Sequence, residues 1–414
     1  MKKLYLLLTF FLFFISIHSQ NQEWIYYTLN QAVYNIAIEE DFIWIPSHNG
    51  LIRINRTTWE SYTYKTNNSG LPSNSINYVA IDNTNNKWIG HPTQGLTKFD
   101  GLNWTNYNTT NSGIPDNWVS YMAFDDSDNI WFASNGLTKF DGSNWVNYNS
   151  SNSGLPDNWI YSLAIDSNNN KWVGTYDYGV TKFDGSDWIV YDTNNSGLPN
   201  NWVYTIAFED SNLTWLGTFA GGLTKFDGVS WNIFNTFNSG LPHDSVLCLA
   251  IDYNGNKWIG TDGGLVKFND NDWTLLNTSN SGLPNDQVFA IIIDEYGNKI
   301  IGTFTGLVFY NEGGVVNVDK DMDISIPGEY MLSQNYPNPF NPSTIISYQL
   351  PEDSQVQIKI YDIMGREIIE LVNEYKRAGY YKINFNAVSL STGIYLYKIN
   401  AGKFSNTRKM LLVK

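Results

Sequence analysis

The chain has 414 residues, with 25 Lys and Arg against 40 Asp and Glu, four His, one Cys and a formal charge of −15. So acidic a surface repels phosphate backbones, which argues against nucleic acid as a partner, and the lone Cys248 excludes an intrachain disulfide. The charge is uneven, with 13 basic and 34 acidic side chains over residues 21–329 but 10 and 6 over 330–414, which predicts two domains of different character.

In chain order, Lys2 and Lys3 precede an apolar run from Leu4 to Ile17 closed by His18, Ser19 and Gln20. That pattern is a signal peptide over residues 1–20. The run is shorter than the roughly 20 apolar residues of a membrane span, and no later stretch comes near that length. No transmembrane segment is expected in the mature chain, and the absence of a cysteine near the cleavage site excludes lipid attachment there.

From residue 21 the sequence repeats itself. The phrase NSG(L/I)P places glycines at 70, 113, 154, 197, 240 and 282, a period of about 42 residues. Two further marks occur seven times each. One is a tryptophan at 24, 59, 104, 145, 188, 231 and 273, expected on an outer strand. The other is a small residue at Ala37, Ala80, Ala123, Ala164, Ala207 and Ala250, with Ile292 as the seventh. Each unit reads as four short strands bounded by Asn, Asp, Ser and Gly turns, with no helical period. Four strands in about 42 residues is the signature of a β-propeller blade. Residues 21–312 are therefore expected to form an all-β, seven-bladed propeller. Its last blade is assembled from both ends: the N-terminal strand supplies the outer strand that the final unit lacks. The NSGLP phrase reads as the crossing loop between blades, its glycine serving a positive φ and its proline fixing the chain.

Sixteen tryptophans are present. Seven belong to the outer-strand series and six (Trp44, Trp88, Trp131, Trp172, Trp215, Trp258) to the second strand, where they are expected to be core. The remaining three, Trp118, Trp159 and Trp202, follow the crossing loop in three consecutive units where other units place Ala32, Ser75, Ser245 and Gln287. With Tyr176, Tyr178 and Phe219 in neighbouring loops they form a candidate aromatic arc. Flat aromatic faces beside Asn and Asp suit sugar rings, so these six residues are the candidate ligand-binding set.

Other chemistry is sparse. His48, His91 and His243 read as exposed loop histidines rather than converging metal ligands. Cys248, in an apolar strand pattern, reads as a small buried hydrophobe. Asp-rich turns such as 125–129 and 252–256 lack the glycine and glutamate of a helix-flanked calcium loop and read as Asx turns. No nucleophile motif or phosphate-binding glycine loop is present, and no catalytic residue, metal or cofactor is expected.

The combination of NSGLPxNxV, IDxxNNKWIGT and GLTKFDGxxW resembles the two-component regulator propeller repeats over nearly all of 23–310. In that family such repeats form extracellular sensor domains of membrane histidine kinases, many responsive to polysaccharide fragments. This chain has no kinase or response-regulator segment. After a linker at 313–329, the tail at 330–414 carries YPNPFNPSTIISYQL, VQIKIYDIMGREI, LSTGIYLYKI and a terminal KMLLVK. It resembles a type A C-terminal sorting domain of the type IX secretion system of Bacteroidota and their relatives. Alternating Val356, Ile358 and Ile360 point to a small immunoglobulin-like β-sandwich. The resemblance implies export through the periplasm to the outer-membrane surface or the medium, with the type IX machinery as a partner. The expected function is a secreted or cell-surface, non-enzymatic binding module, its ligand an oligo- or polysaccharide. The alternatives are a polysaccharide-active enzyme with carboxylates at the propeller channel, and a structural or adhesive surface protein.

Overall fold

The computed structural model describes residues 23–29, 31–211, 213–312, 314–315, 329–376 and 379–413. The signal peptide and nearly all of the expected linker lie outside them. The chain divides into two compact units, Met1–Val318 and Asp319–Lys414. Among the described residues every regular element is a strand.

Among the described residues the first unit contains seven four-stranded antiparallel sheets. Sheet 1 is β2 (Ala37–Glu39), β3 (Phe42–Ser47), β4 (Gly50–Asn55) and β5 (Ser61–Tyr64). Sheets 2 to 6 repeat that meander, sheet 4 for example running through Ile160–Ile165, Lys171–Thr175, Val180–Phe183 and Trp188–Tyr191. In sheet 7 the strand β1 (Trp24–Thr28) lies outside the last three strands of the unit, with Trp24 opposite Tyr310. Seven apolar clusters hold the unit together, each shared by two neighbouring sheets. One of them joins sheet 7 to sheet 1 through Ile300, Leu307 and Phe309 against Ile43, Ile45 and Ile54.

The repeat marks acquire physical reasons here. Each second-strand Trp stands directly opposite the small residue of the inner strand, as Ala164 opposite Trp172, so the missing side chain makes room for the indole. On the other side stands a cation, Arg53 or Lys98, Lys139, Lys182, Lys225 and Lys267, 5.2–5.9 Å from the ring, within cation–π range. The indole N–H donates to an acid six or fewer residues earlier, Glu39, Asp82, Asp125, Asp166, Glu209 or Asp252, at 2.8–3.0 Å. The acid-bearing turns are thereby explained. Asp82 accepts from Thr84 N, Asn86 N, Asn86 Nδ2 and Trp88 Nε1. Burial alone would raise its carboxyl, but these bonds hold it below the usual range.

The repeated glycine of NSG(L/I)P has a different job from the one its type suggests. None of Gly70, Gly113, Gly154, Gly197, Gly240 and Gly282 has a positive φ. A Cβ on each would lie 2.2–2.5 Å from the tryptophan that opens the outer strand of the next sheet: Trp104, Trp145, Trp188, Trp231, Trp273 and, for Gly282, Trp24. The glycine is a notch for the neighbour's indole. Those six tryptophans also stack on the third-strand aromatic of their own sheet at 3.9–4.2 Å.

Sheet 1 departs from the pattern. Trp59, expected on an outer strand, lies in the turn before β5 with φ 61°, and the outer-strand position is held by Ser61, opposite Ile54. Trp59 packs edge-on against Phe309 of sheet 7 at 4.6 Å instead. Sheet 7 departs in step, with Ile292, Ile300 and Phe309 in register where other sheets have Ala, Trp and a cation. Asp294, lacking an indole donor, takes the Arg56 guanidinium of sheet 1, and the same guanidinium lies 3.3 Å from Glu295.

His91 also differs from expectation. It is fully buried between Ser75 O at 3.1 Å and Thr97 Oγ1 at 2.9 Å. Burial lowers its pKa to about 4, against which the Ser75 contact works. The folded state therefore holds the neutral ring, so its contribution is complete above the unfolded value near 6.5 and is lost as pH falls toward 4. Lowering pH from 7 to 4 should cost the wild type about 3 kcal/mol from this group. Replacing it by the Thr found at the matching position of other sheets, His91→Thr, should remove that part of the pH dependence. Urea midpoints at the two pH values check this, and parallel profiles for both proteins would contradict it.

In the second unit, Ser343–Leu350 pairs with Met331–Leu332 and Gly379–Asn386 in one sheet, while Ser354–Asp362 lies between Glu367–Lys376 and Gly393–Ala401, with Phe404–Leu412 at the edge of the other. Alternate residues enter one core containing Ile346, Tyr348, Val356, Ile358, Ile360, Tyr397 and Met410. The YPNPFNP stretch fastens the last strand: Phe340 N donates to Leu411 O, Val413 N to Phe340 O, and Leu411 N to Asn338 Oδ1.

Candidate functional site

The connectors that follow the second strand of a sheet meet the ends of the crossing loops. Tyr176 N donates to Trp159 O at 3.3 Å and Phe219 N to Trp202 O at 3.0 Å. Every candidate aromatic lies in one of these two kinds of segment.

Three of the six come together. Trp202 contacts Tyr176 at 4.4 Å and Phe219 at 4.8 Å between ring centroids. Two inner-strand residues outside the candidate set complete the group, Tyr204 at 5.1 Å and Tyr161 at 5.4 Å from Trp202. From Tyr161 the rings continue to Tyr121 at 6.4 Å and Tyr78 at 5.8 Å beyond it. Trp118, Trp159 and Tyr178 make no ring contact with another described residue. Trp118 and Trp159 are 49 % and 66 % exposed and Tyr178 52 %. The difference has a local cause. On the preceding sheet's connector Trp202 meets Tyr176, whereas the corresponding positions hold Asn135 for Trp159 and Pro92 for Trp118, so Trp202 alone has an aromatic at that position to pack against.

Tyr161 and Tyr204 fill an inner-strand position held by Tyr34 and Phe289 in sheets 1 and 7, whose rings lie 4.8 Å apart, and by Asn77, Ser120 and Leu247 in sheets 2, 3 and 6. An aromatic there is not peculiar to sheets 4 and 5; what sets these two apart is the crossing-loop Trp202 that both tyrosines contact.

The chemistry of the cluster is apolar faces edged with donors. Burial raises the Tyr161 phenol, with the Tyr176 and Asp157 neighbours adding to it. Burial pushes Tyr204 up to about 12, assisted by Tyr161 and Asp262. Both hydroxyls are therefore protonated donors across the physiological range. Trp202 Nε1 is buried with no hydrogen-bond partner among the described residues, a donor whose desolvation is uncompensated. Nearby, Asp262 accepts from Gln287 Nε2 at 3.2 Å and lies 3.9 Å from His243 Nδ1, which accepts from Ser245 N. His48 Nδ1 lies 3.1 Å from Ser75 Oγ. Among the described residues no group of three His, Cys, Asp or Glu side chains converges to hold a metal. Cys248 is buried, its thiol held well above the ordinary range by desolvation.

Comparison with known proteins fits both units. Residues 154–177 match the two component regulator propeller model, and residues 334–414 match the secretion system C-terminal sorting domain. One stretch matching a regulator-type propeller repeat and one matching a secretion sorting domain thus stand in the same chain. No curated protein matches it. Among solved structures it is similar to the extracellular domain of the hybrid two-component system BT3049 of B. thetaiotaomicron, at 17 % identity and TM-score 0.61 over 94 % of this chain and 57 % of that one. It is similar also to PorZ, a surface component of the type-IX secretion system of Porphyromonas gingivalis, at 17 % identity and TM-score 0.58 over 94 % of this chain and 60 % of that one. A streptogramin B lyase aligns at 13 % identity and TM-score 0.57, over 70 % of this chain and 98 % of its own. The chain thus spans under two thirds of the first two proteins, and the likeness is one of fold. The sorting domain marks the protein for export to the cell surface or beyond by the type IX system.

Proposed function

We propose that residues 21–312 form a closed seven-bladed propeller that is delivered to the cell surface or medium by the sorting domain at 330–414, behind a linker at 313–329, and there binds glycans without acting on them. The sheet built from both ends of the unit and the apolar cluster shared by sheets 7 and 1 support closure. The ligand reading rests on one observation: Trp159, whose carbonyl accepts from Tyr176 N of the Trp202 group, stands exposed, as does Trp118 at the corresponding position one sheet earlier. The packed group, in which Tyr176 and Phe219 are themselves 39 % and 41 % exposed, stiffens the face, and the exposed indoles offer apolar planes for stacking against sugar C–H faces. The first of the similar structures is named as the extracellular domain of a hybrid two-component system, in keeping with a binding role.

A thermal-shift screen of the protein against soluble oligo- and polysaccharides tests this. A ligand at 100 times its dissociation constant should add about 2.7 kcal/mol. The shift should vanish in Trp118→Ala/Trp159→Ala while the folded baseline is kept, and Trp202→Ala should also lower the baseline because it opens the packed cluster. Shifts unchanged in the double variant would overturn the site, and release of reducing ends from a recognised polymer would overturn the non-enzymatic reading.

A further inference from the structure

The seam between sheets 7 and 1 is built differently from the other six, and the difference leaves a cavity. Elsewhere the path from the outer-strand aromatic to the first inner-strand core residue takes twelve residues, as from Tyr107 to Val119, and carries the NSGLP insert. At the seam the path from Tyr27 to Val33 takes six, and the insert is missing. The partner it would notch is missing too. Ser61 stands opposite Ile54, in the register where Trp104 stands opposite Phe99. Loop and indole have both been withdrawn from the same place.

What remains is a cavity of about 270 Å³ lined by Tyr27, Gln31, Asn49, Ser61, Thr63 and Ile52, among others. That is room for about nine waters at liquid density, near the lower end of the roughly 300–1,000 Å³ usual for small-molecule sites. None of the lining side chains carries a charge. The side chains of Tyr27, Gln31, Ser61 and Thr63 make no hydrogen bond to another described residue, so hydroxyl and amide groups face the space with their capacity unspent. Ser47 and Asn49 are committed already, Ser47 Oγ to Gly50 O and Asn49 Oδ1 to Lys65 Nζ. They fix one wall. Ile52 supplies an apolar floor.

We infer that this seam cavity is a second binding site, for one small, uncharged, hydroxyl-rich molecule the size of a single sugar ring. Neutral donors and acceptors over an aliphatic floor match a polyol ring, with hydroxyls at its rim and C–H groups on its face. A carboxylated or phosphorylated molecule would enter without a cation among the lining residues to offset its desolvation. The site owes nothing to the aromatic group around Trp202, which belongs to sheets 4 and 5.

Saturation-transfer NMR and calorimetry on the full chain test it, with glucose, N-acetylglucosamine and maltose as neutral probes and glucuronate and glucose 6-phosphate as charged ones. At least one neutral probe should bind, and the charged ones should bind at least tenfold more weakly. Ser61→Trp, which restores the residue type of the other outer strands, should abolish binding. Should that variant fail to fold, Thr63→Val and Gln31→Ala keep the question open to measurement, each expected to weaken binding at least threefold. Repeating the titrations in the Trp118→Ala/Trp159→Ala background removes any contribution from the aromatic face, and the loss caused by Ser61→Trp should be the same there, which separates this site from the aromatic one. Binding that survives Ser61→Trp in a folded protein, no binding of any neutral probe, or tighter binding of the charged ones would each overturn the inference.

Discussion

Arg56→Ala should be among the most destabilising single changes in the first unit. The Arg56 and Asp294 side chains are 3 % and 1 % exposed, and Arg56 Nη1 also donates to Glu40 O at 2.8 Å. Burial already raises the Asp294 carboxyl, with Arg56 opposing that shift. Removing the guanidinium leaves a buried carboxylate without its cation, held by the N–H donors of Tyr296 and Asn298, which costs about 3–5 kcal/mol. Urea unfolding at pH 7 should show it. The same logic predicts partial recovery in Arg56→Met/Asp294→Asn, because an apolar chain replaces the ion pair and an amide keeps the turn. Deleting residues 21–30 attacks the same seam by removing β1 and should lower the thermal midpoint further still. A loss under about 1 kcal/mol from Arg56→Ala, with an unchanged midpoint for the deletion, would show that the seam carries little of the stability.

Gly240→Ala should destabilise the protein even though an alanine is normally welcome at its backbone angles. At a glycine whose only virtue is flexibility, alanine adds about 0.4–1 kcal/mol by restricting the unfolded chain. Gly240 has no positive φ, so the sign depends on space alone. A Cβ there would sit 2.2 Å from Trp273 Cβ, too near for the indole to rotate away, and overpacking of this kind costs about 1–3 kcal/mol. Chemical denaturation gives the sign directly. A gain in stability would mean that the loop yields easily and that the notch is incidental to joining the sheets.

Most of the architecture could be read from spacing, because the same contacts recur in every unit and each contact needs particular residues at a fixed distance. An Ala opposite a Trp, an acid before it and a Gly at the next blade's indole repeat together because they satisfy one another. The failures cluster where that reciprocity breaks. Trp59 sits at the right interval for an outer strand but has no notch to enter, so it turns back onto Phe309. His91 follows the Gly of its unit as Thr175 does in its own, and a residue type that usually seeks water is buried because the position demands it. At the candidate site, Tyr176 and Phe219 were recognisable as neighbours of Trp202, since loops of adjacent units converge. Tyr161 and Tyr204 were not, because a bulge in each inner strand redirects them and no pairwise interval announces it.

The pairing of Trp24 with Tyr310 also fixes an order of events. Sheets 1 to 6 each close over neighbouring residues and can form as soon as their own unit has emerged, whereas the seventh brings together strands separated by almost the whole first unit and bears the largest loop-closure entropy. Until the segment around residue 310 appears, β1 has no partner and the strand at Leu265–Phe268 faces an unfinished neighbour. The last sheet therefore acts as a checkpoint on completeness: a chain truncated before Gly306–Tyr310 leaves β1 without its partner strand, and only a copy that has made that strand can pair it before the sorting domain follows.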